Sequence, residues 1–211
     1  EKRIGQEIAK LGPQKNARKD SEEFHRIQKL VRDLPAPPKA GERSPDDSAS
    51  GPLGRPREAP SRRYREYRQE EFSIGYPDNW QVYESGTQAV FAPEGGVSEN
   101  AVAYGVMVNL VDLDDPRMSL EDATERLVRS ILQSNPGMRE VSHQRARVAG
   151  QRAMATQLSS RSPIAGERES DWLFTTLRSG SLFYALFIVP ESDYRPYQRT
   201  YQEMLDSVRF R

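Results

Sequence analysis

Two long apolar runs constrain the fold of this sequence more than any other feature. In residues 101–113, Val, Tyr and Leu side chains recur at alternate positions, and Ala103, Met107 and Val111 stand between them. Residues 182–189 read LFYALFIV and contain no charged side chain. A strand that is apolar on both faces must be covered on both sides. We therefore expect both runs to be central strands with other elements packed on each face.

Two amphipathic helices are available to cover such a sheet. Ser119 is a candidate N-cap for a helix that ends at Asn135-Pro136-Gly137. A second helix is predicted to begin near Asp193. Pro196 would then lie in the first turn of this helix, where proline is tolerated. Their apolar stripes are Leu120, Ala123, Leu127, Ile131 and Leu132 in the first helix, and Tyr194, Tyr197, Tyr201, Met204, Leu205 and Val208 in the second.

The remaining patterns in this part of the chain predict hairpins. Residues 139–160 read as a polar edge hairpin about Ala149-Gly150, and residues 171–189 read as a second hairpin about Ser179-Gly180. Hairpins with inserted helices are not the regular strand–helix alternation of a parallel sheet. The sequence therefore predicts the α+β class, with a mostly antiparallel sheet flanked by helices on both sides, an α/β/α sandwich.

The stretch 72–80, FSIGYPDNW, predicts a strand, a sharp turn and a buried aromatic side chain. Pro77 restricts the backbone and Asp78 and Asn79 favour a turn. Trp80 then begins a second alternating run. We expect Trp80 to lie in the core.

The N-terminal third has a different character. Residues 1–12 read as the end of a helix, and residues 20–34 as a second helix with Asp20 at its N-cap and one apolar stripe. Residues 35–61 hold seven prolines, so they predict a disordered, extended linker. The predicted divisions are a helical tail of an upstream domain at 1–34, the linker at 35–61 and a folded domain at 62–211. Because the chain begins with Glu1, we expect it to be a fragment.

Composition excludes several classes of function. The formal net charge is +0, which does not favour general nucleic-acid binding. The absence of cysteine excludes disulfides, thiolate catalysis and cysteine-ligated zinc. No apolar run approaches the roughly 20 residues of a membrane span.

No catalytic or metal-binding constellation stands out in the sequence. His25 follows Glu22 at a spacing used in carboxylate-bridged metal sites, but no second such pair exists, so a solvated helix face is the favoured interpretation. His143 alternates with arginines on a polar strand. The acidic residues 112–115 lack the spacing of a calcium loop and read as a turn at a strand end, with a divalent-ion site as the alternative. We predict no catalytic, cofactor-binding or metal-binding residue in this chain.

One basic stretch is a candidate interaction patch. The arginines at 62, 63, 65 and 68 are interleaved with tyrosines, a pattern that could contact nucleic acid or anionic lipid. The competing interpretation is an edge strand with arginines outward and tyrosines packed. The candidate residues are Arg62, Arg63, Arg65 and Arg68.

Residues 62–211 resemble PsbP-like domains. The resemblance rests on Phe72-Ser73-Ile74 with Tyr76-Pro77 and Trp80, the following Val-Phe-Ala-Pro strand, the helix at 119–121, the hairpin at 148–150 and the closing residues 204–210. It implies an α/β/α sandwich that serves as a non-catalytic binding or assembly module.

Residues 1–35 resemble the helical tail of HtpX/CAAX-protease-type zinc metallopeptidases. The resemblance implies an accessory module that follows a peptidase domain in cis, in the bacterial cell envelope or secreted, and that engages a protein substrate or partner. Zinc and its His-Glu-x-x-His ligands are then expected only upstream of Glu1. The alternative is a free-standing PsbP-like binding or assembly module with no peptidase attached.

Overall fold

The computed structural model describes residues 53–98, 101–164 and 166–211. The predicted helices at 1–12 and 20–34, with His25, and most of the predicted linker lie outside these ranges. The described strands are β1 (Tyr64–Arg68), β2 (Phe72–Pro77), β3 (Gln81–Ser85), β4 (Gln88–Ala92), β5 (Val97–Ser98), β6 (Ala101–Val102), β7 (Gly105–Asp112), β8 (Arg139–Val148), β9 (Gln151–Arg161), β10 (Arg168–Arg178), β11 (Ser181–Ile188) and β12 (Arg209–Phe210). The helices are α1 (Leu120–Ser134) and α2 (Tyr194–Ser207), and a 3-10 turn at Glu191–Asp193 precedes α2.

An antiparallel sheet of seven strands forms the body of the domain, in the order β3-β4-β7-β11-β10-β9-β8. Strand β11 lies at its centre, and all eight of its residues are buried. Its neighbour β7 is paired so that Val108 faces Ala185. The prediction that both apolar runs are central strands is therefore confirmed.

The apolar run at residues 101–113 is not the single strand that the sequence predicts. Residues 101–102 pair with β5 in a small hairpin, and β7 begins only at Gly105. At Gly105 the backbone passes so close to β4 that an added Cβ would lie 2.5 Å from the Phe91 carbonyl oxygen. The alternation of apolar residues continues through this break, so it did not reveal the change of direction.

Both predicted hairpins are present. Strands β8 and β9 are joined at Ala149-Gly150, and β10 and β11 at Ser179-Gly180. In each loop both residues have positive φ, at 48° and 77° in the first and 46° and 87° in the second. Two consecutive residues with positive φ match the twist of the flanking strands. Strand β8 lies at the edge of the sheet, as the polar sequence predicts.

Helix α1 covers one face of the main sheet. Ser119 caps it, accepting a hydrogen bond from the Asp122 backbone N–H at 3.0 Å, as predicted. The buried side chains of Val128 and Ile131 pack in a cluster with Leu158 and Leu173 of the sheet.

The opposite face is covered by α2 together with a second sheet of three strands, ordered β1-β2-β12. Helix α2 contacts β2, and the Gly75 backbone N–H donates to Ser207 Oγ at 2.7 Å. The largest buried side chains of this layer are aromatic, among them Phe72, Phe91, Phe183 and Phe187.

The predicted α/β/α sandwich is therefore wrong. The described chain is mostly strand and contains two α-helices, so the seven-stranded sheet is not covered by helical layers. On one face, part of the cover is supplied by the three-stranded sheet rather than by a second helix. Two-faced strands require a cover on each side, but that requirement is met by any apolar surface, including another sheet.

Trp80 is buried, as predicted, with 4% of its surface exposed. Its ring lies 6.2 Å from that of Tyr197 and 6.3 Å from that of Tyr201, both on α2. The turn before it is closed by a hydrogen bond from Trp80 N–H to the Pro77 carbonyl at 3.0 Å.

No described helix is long and apolar enough to span a membrane.

Candidate functional site

Residues 53–63, here called the strap, run across the domain instead of projecting from it. Asn79 holds the strap at two points: its Oδ1 accepts from Ser61 N–H at 2.9 Å, and its Nδ2 donates to the Ala59 carbonyl at 3.0 Å. The Asp78 backbone N–H donates to the Arg63 carbonyl at 2.9 Å. The described end of the predicted linker is thus part of the folded surface, while the domain boundaries themselves stay a prediction.

The first residues of the strap are held by a set of charged groups. Arg55 Nη2 donates to Glu167 Oε1 at 2.8 Å and to Ser192 Oγ at 3.1 Å. Its Nε lies 3.5 Å from Asp193 Oδ2. Leu53 packs against the aromatic core. Arg55 therefore joins the strap to the loop before β10 and to the turn before α2.

A cavity of about 430 Å³ lies between the strap and α2. We call it the strap cavity. This volume is within the range of small-molecule and peptide sites. The cavity is lined by Arg55, Pro56, Glu58, Ala59, Pro60, Ser61 and Arg62 of the strap, by Tyr64 and Tyr104, and by Asp193, Pro196, Tyr197, Arg199, Thr200 and Glu203.

Three tyrosines form the aromatic wall of the strap cavity. Tyr104 OH donates to Asp193 Oδ2 at 2.6 Å, and its ring lies 5.4 Å from the ring of Tyr197. Tyr64 OH donates to Glu203 Oε2 at 2.8 Å. Burial, followed by the bond to Glu203, raises the pKa of Tyr64 to about 12. Burial also raises the pKa of Tyr104 and of Tyr197. All three hydroxyls are therefore neutral at physiological pH.

The charged groups of the strap cavity are of both signs and are largely paired. Arg199 Nε donates to Glu203 Oε1 at 2.7 Å, and this bond is the largest cause of a lowered pKa for Glu203. The charge of Arg62 acts on Glu203 in the same direction. A ligand entering the cavity would therefore meet aromatic rings, prolines and compensated charges, which suit binding through packing and hydrogen bonds.

The four arginines of the predicted patch have different surroundings. Arg62 lines the strap cavity, whereas Arg63 forms an ion pair with Asp78 at 3.1 Å. Arg68 pairs with Glu66 at 2.6 Å, and Arg65 is exposed on β1. The tyrosines between them, Tyr64 and Tyr67, pack against the core. This arrangement is the edge strand of the competing interpretation, and a binding role for the four arginines stays a prediction.

The other groups singled out in the sequence have structural partners. His143 Nδ1 and Thr156 Oγ1 are 2.8 Å apart across β8 and β9. Asp112 accepts from Ser181 Oγ at 2.7 Å, and Asp114 accepts from Arg126 at 3.0 Å. Within the described ranges, no three His, Cys, Asp or Glu side chains are grouped so that they could hold a metal ion.

Sequence reasoning missed the residues that build the strap cavity. Asn79 was assigned to a turn, and Tyr104 and Tyr197 to apolar stripes. The spacing of Tyr194, Tyr197 and Tyr201 was a usable signal, because tyrosine on a core stripe requires a partner for its hydroxyl. No local pattern indicated that Arg55 reaches residues more than a hundred positions away.

A second group of titratable residues is buried outside the strap cavity. Glu169 and Asp171 lie two residues apart on β10, so both side chains point to the same face. Ser160 Oγ donates to Glu169 Oε1 at 2.5 Å. Burial raises the pKa of Glu169 to about 7, against the opposing effect of Ser160. Burial and the charge of Glu169 also raise the pKa of Asp171.

Comparison with known proteins finds structures of similar fold but no match by sequence. No protein-family model matches the sequence, and no curated protein does. The solution structure of cyanobacterial PsbP from Synechocystis sp. PCC 6803 matches with a TM-score of 0.51 and 12% identity, covering 81% of this chain and 98% of that chain. At this identity the likeness shows a shared fold alone. It supports the predicted resemblance to PsbP-like domains, and it does not test the resemblance of residues 1–35 to a peptidase tail.

Two weaker structural matches cover smaller shares of the chain. PA94 from Pseudomonas aeruginosa, a protein of unknown function, has a TM-score of 0.45 at 13% identity, covering 68% of this chain and 94% of that chain. LpqN from Mycobacterium tuberculosis, involved in cell envelope biogenesis, has a TM-score of 0.41 at 10% identity, covering 70% of this chain and 90% of that chain. These scores are too low for any functional argument.

Proposed function

We propose that this chain is a non-catalytic binding module whose ligand is a short polypeptide segment held in the strap cavity. The observation that carries the proposal is the composition of the cavity walls. Tyrosine and arginine are the residue types enriched at the energetic centres of protein interfaces. Here they surround a space of about 430 Å³ together with prolines.

The mixed charge of the strap cavity favours a polypeptide over a small anion or cation. Its carboxylates and guanidinium groups occur on both sides of the space, at Arg62 and Arg199 and at Glu58 and Glu203. A peptide offers donors, acceptors and side chains of both signs, which matches this mixture. A single strongly charged ligand would instead require one sign of charge to dominate.

A selection experiment tests this proposal. Peptides are selected from a random library on the full chain, and their affinities are then measured for Arg62→Glu and for Arg65→Glu as the matched control. Arg62 lines the cavity, whereas Arg65 is exposed on β1. We expect at least a tenfold loss of affinity for Arg62→Glu and no change for Arg65→Glu. Equal affinities for both variants would contradict the proposed site.

Attachment to a zinc metallopeptidase is the finer form of the proposal. Its support is the sequence resemblance of residues 1–35 to the tails of such enzymes, and a bound peptide would then be a substrate or partner presented to the upstream domain. The parent gene decides between the two forms. An in-frame His-Glu-x-x-His motif upstream of Glu1 would support the peptidase form, and its absence would leave the free-standing binding module.

A further inference from the structure

A second groove lies on the other side of α2, where the helix crosses β10 and β11. It has a volume of about 190 Å³, and it shares no lining residue with the strap cavity. Its walls are Trp172, Phe174 and Phe187 of the sheet and Tyr194, Gln198, Tyr201, Gln202 and Leu205 of α2. We call it the aromatic groove.

The aromatic groove carries no charge. All eight lining side chains are neutral, although 29% of the residues in the chain are charged. Trp172, Phe174 and Tyr194 are only partly buried, so their rings are available to a ligand. Trp172 and Phe174 are stacked, with ring centroids 6.4 Å apart and an angle of 24° between planes. A neutral ligand with apolar rings or faces suits such a surface.

The polar atoms of the aromatic groove include several hydrogen-bond donors. The Trp172 indole N–H can only donate, and the Gln198 and Gln202 amides each carry an NH₂ group. Gln202 Nε2 already donates to Asp206 at 2.9 Å, which keeps its side chain along α2. A matching ligand therefore presents acceptors to these groups, and any donors it carries can meet the glutamine and tyrosine oxygens. A proline-rich backbone has this property, because proline lacks the N–H and the polyproline II helix leaves its carbonyls free.

We propose that the aromatic groove binds the chain's own segment Pro35-Ala36-Pro37-Pro38 in a polyproline II conformation. Aromatic-lined grooves are a recurrent means of holding such segments, which lose little entropy on binding. Polyproline II has three residues per turn, so a segment bound in that conformation would present Pro35 and Pro38 to the same side. The segment is uncharged, like the groove, and no other stretch of the sequence has three prolines in four residues.

The position of the strap makes this contact possible within one molecule. Arg55 is bonded to Ser192 and paired with Asp193, and the next residue is Tyr194 of the aromatic groove. Residues 39–52 separate Pro38 from Leu53, and an extended chain of that length spans about 45 Å. A helix about 10 Å across does not enter a groove of this volume, which argues against the apolar stripe of residues 20–34 as the occupant.

Fluorescence of Trp172 tests the proposal in the full chain. The sequence contains two tryptophans, so a Trp80→Phe background makes Trp172 the sole reporter. Acrylamide quenching is compared between this background and the additional triple change Pro35→Ala, Pro37→Ala and Pro38→Ala. The control is Pro45→Ala with Pro52→Ala, which removes two prolines from the same linker but not from the cluster.

We expect the triple variant to show about a twofold larger quenching constant and emission at longer wavelength, and the control to match the background. A synthetic peptide of residues 31–41 should restore protection in the triple variant, and Gln198→Glu should abolish that rescue. Equal quenching in background and triple variant would overturn the proposal. Protection that grows with protein concentration would assign the groove to a second copy, and protection by a neutral oligosaccharide but not by the peptide would assign it to a sugar. Either result also overturns the proposal.

Discussion

At the scale of single residues, Trp80 shows how one side chain joins the two parts of the core. It follows the turn after β2, and it packs between Tyr197 and Tyr201 of α2. Its Nε1 is buried and has no hydrogen-bond partner among the described residues. The side chain therefore contributes through apolar contact, while its one polar atom carries a desolvation cost.

Trp80→Ala should lower the free energy of unfolding by about 3–5 kcal/mol, because it leaves a large cavity among aromatic rings. Trp80→Phe should cost only about 1–2 kcal/mol, because it keeps most of the apolar packing and removes the unpaired N–H. Urea denaturation of both variants measures the difference. An unchanged midpoint for Trp80→Ala would mean that the residue belongs to a surface and not to the core.

Glu169 predicts a pH dependence of stability. Its carboxyl titrates near 4.5 when exposed and at about 7 in the folded protein, because burial disfavours the charged form. The folded state then binds the proton more tightly than the unfolded state. Its stabilising contribution is complete below pH 4.5 and is lost as the pH rises to about 7.

Glu169→Gln should therefore be more stable than the wild type at pH 8, by about 1–3 kcal/mol, and similar to it near pH 4. The amide keeps the shape of the side chain and an oxygen that can accept from Ser160. Thermal unfolding between pH 4 and 8 checks this expectation, with Glu140→Gln on the exposed strand β8 as the control. A parallel pH profile for wild type and Glu169→Gln would contradict the assignment.

At the scale of elements, one side chain from a turn holds the middle of the strap. Asn79 makes both of its strap hydrogen bonds to backbone groups, at Ser61 and Ala59. The Arg63–Asp78 ion pair nearby has an Arg63 side chain that is 87% exposed, so its contribution to holding the strap is small. The strap cavity exists only while the strap stays in place.

Asn79→Ala should release the middle of the strap. We expect the Ser61 amide to exchange its hydrogen at least tenfold faster, because its acceptor is removed. Asp78→Asn is the matched control, since it removes the ion pair but keeps the Asp78 backbone bond to Arg63. Hydrogen exchange followed by NMR distinguishes the two variants. Equal acceleration in both would show that the strap is held elsewhere.

At the scale of the whole molecule, the contacts of the strap predict a folded unit that begins before residue 62. Leu53 packs on the core, Arg55 reaches Glu167 and Asp193, and Gly54 N–H lies 3.4 Å from the Gly95 carbonyl. These interactions cross from the strap to three separate parts of the chain. A protein cut at residue 62 would have none of them.

A fragment of residues 53–211 should therefore be more stable than one of residues 62–211, by about 1–3 kcal/mol, because only the longer fragment keeps the hydrogen bonds and apolar packing of the strap. Denaturant titration of the two fragments measures this difference. Limited proteolysis of the full chain should likewise leave a resistant piece that begins before Arg55. Equal stability would show that the strap contributes nothing to the fold and would support the boundary at residue 62 predicted from composition.

The sequence alone determined the local elements of this protein. Alternation and helical stripes predicted the central strands, both hairpins, the two helices that begin after Ser119 and Asp193, and the burial of Trp80. These features depend on neighbours within a few residues along the chain. The spacing of apolar residues within a segment indicates which face of a helix or strand is buried, and this spacing is a property of the local sequence.

Only the tertiary structure decided what covers each face and which residues meet. The three-stranded sheet takes a place that was expected for helices, because apolar periodicity does not specify the partner surface. The strap cavity depends on Arg55, Tyr104 and Tyr197 in its walls and on Asn79, which holds the strap, and these four residues come from separate parts of the chain. Glu169 and Asp171 look like ordinary strand carboxylates in the sequence, and their raised pKa values arise because the folded sheet removes them from water.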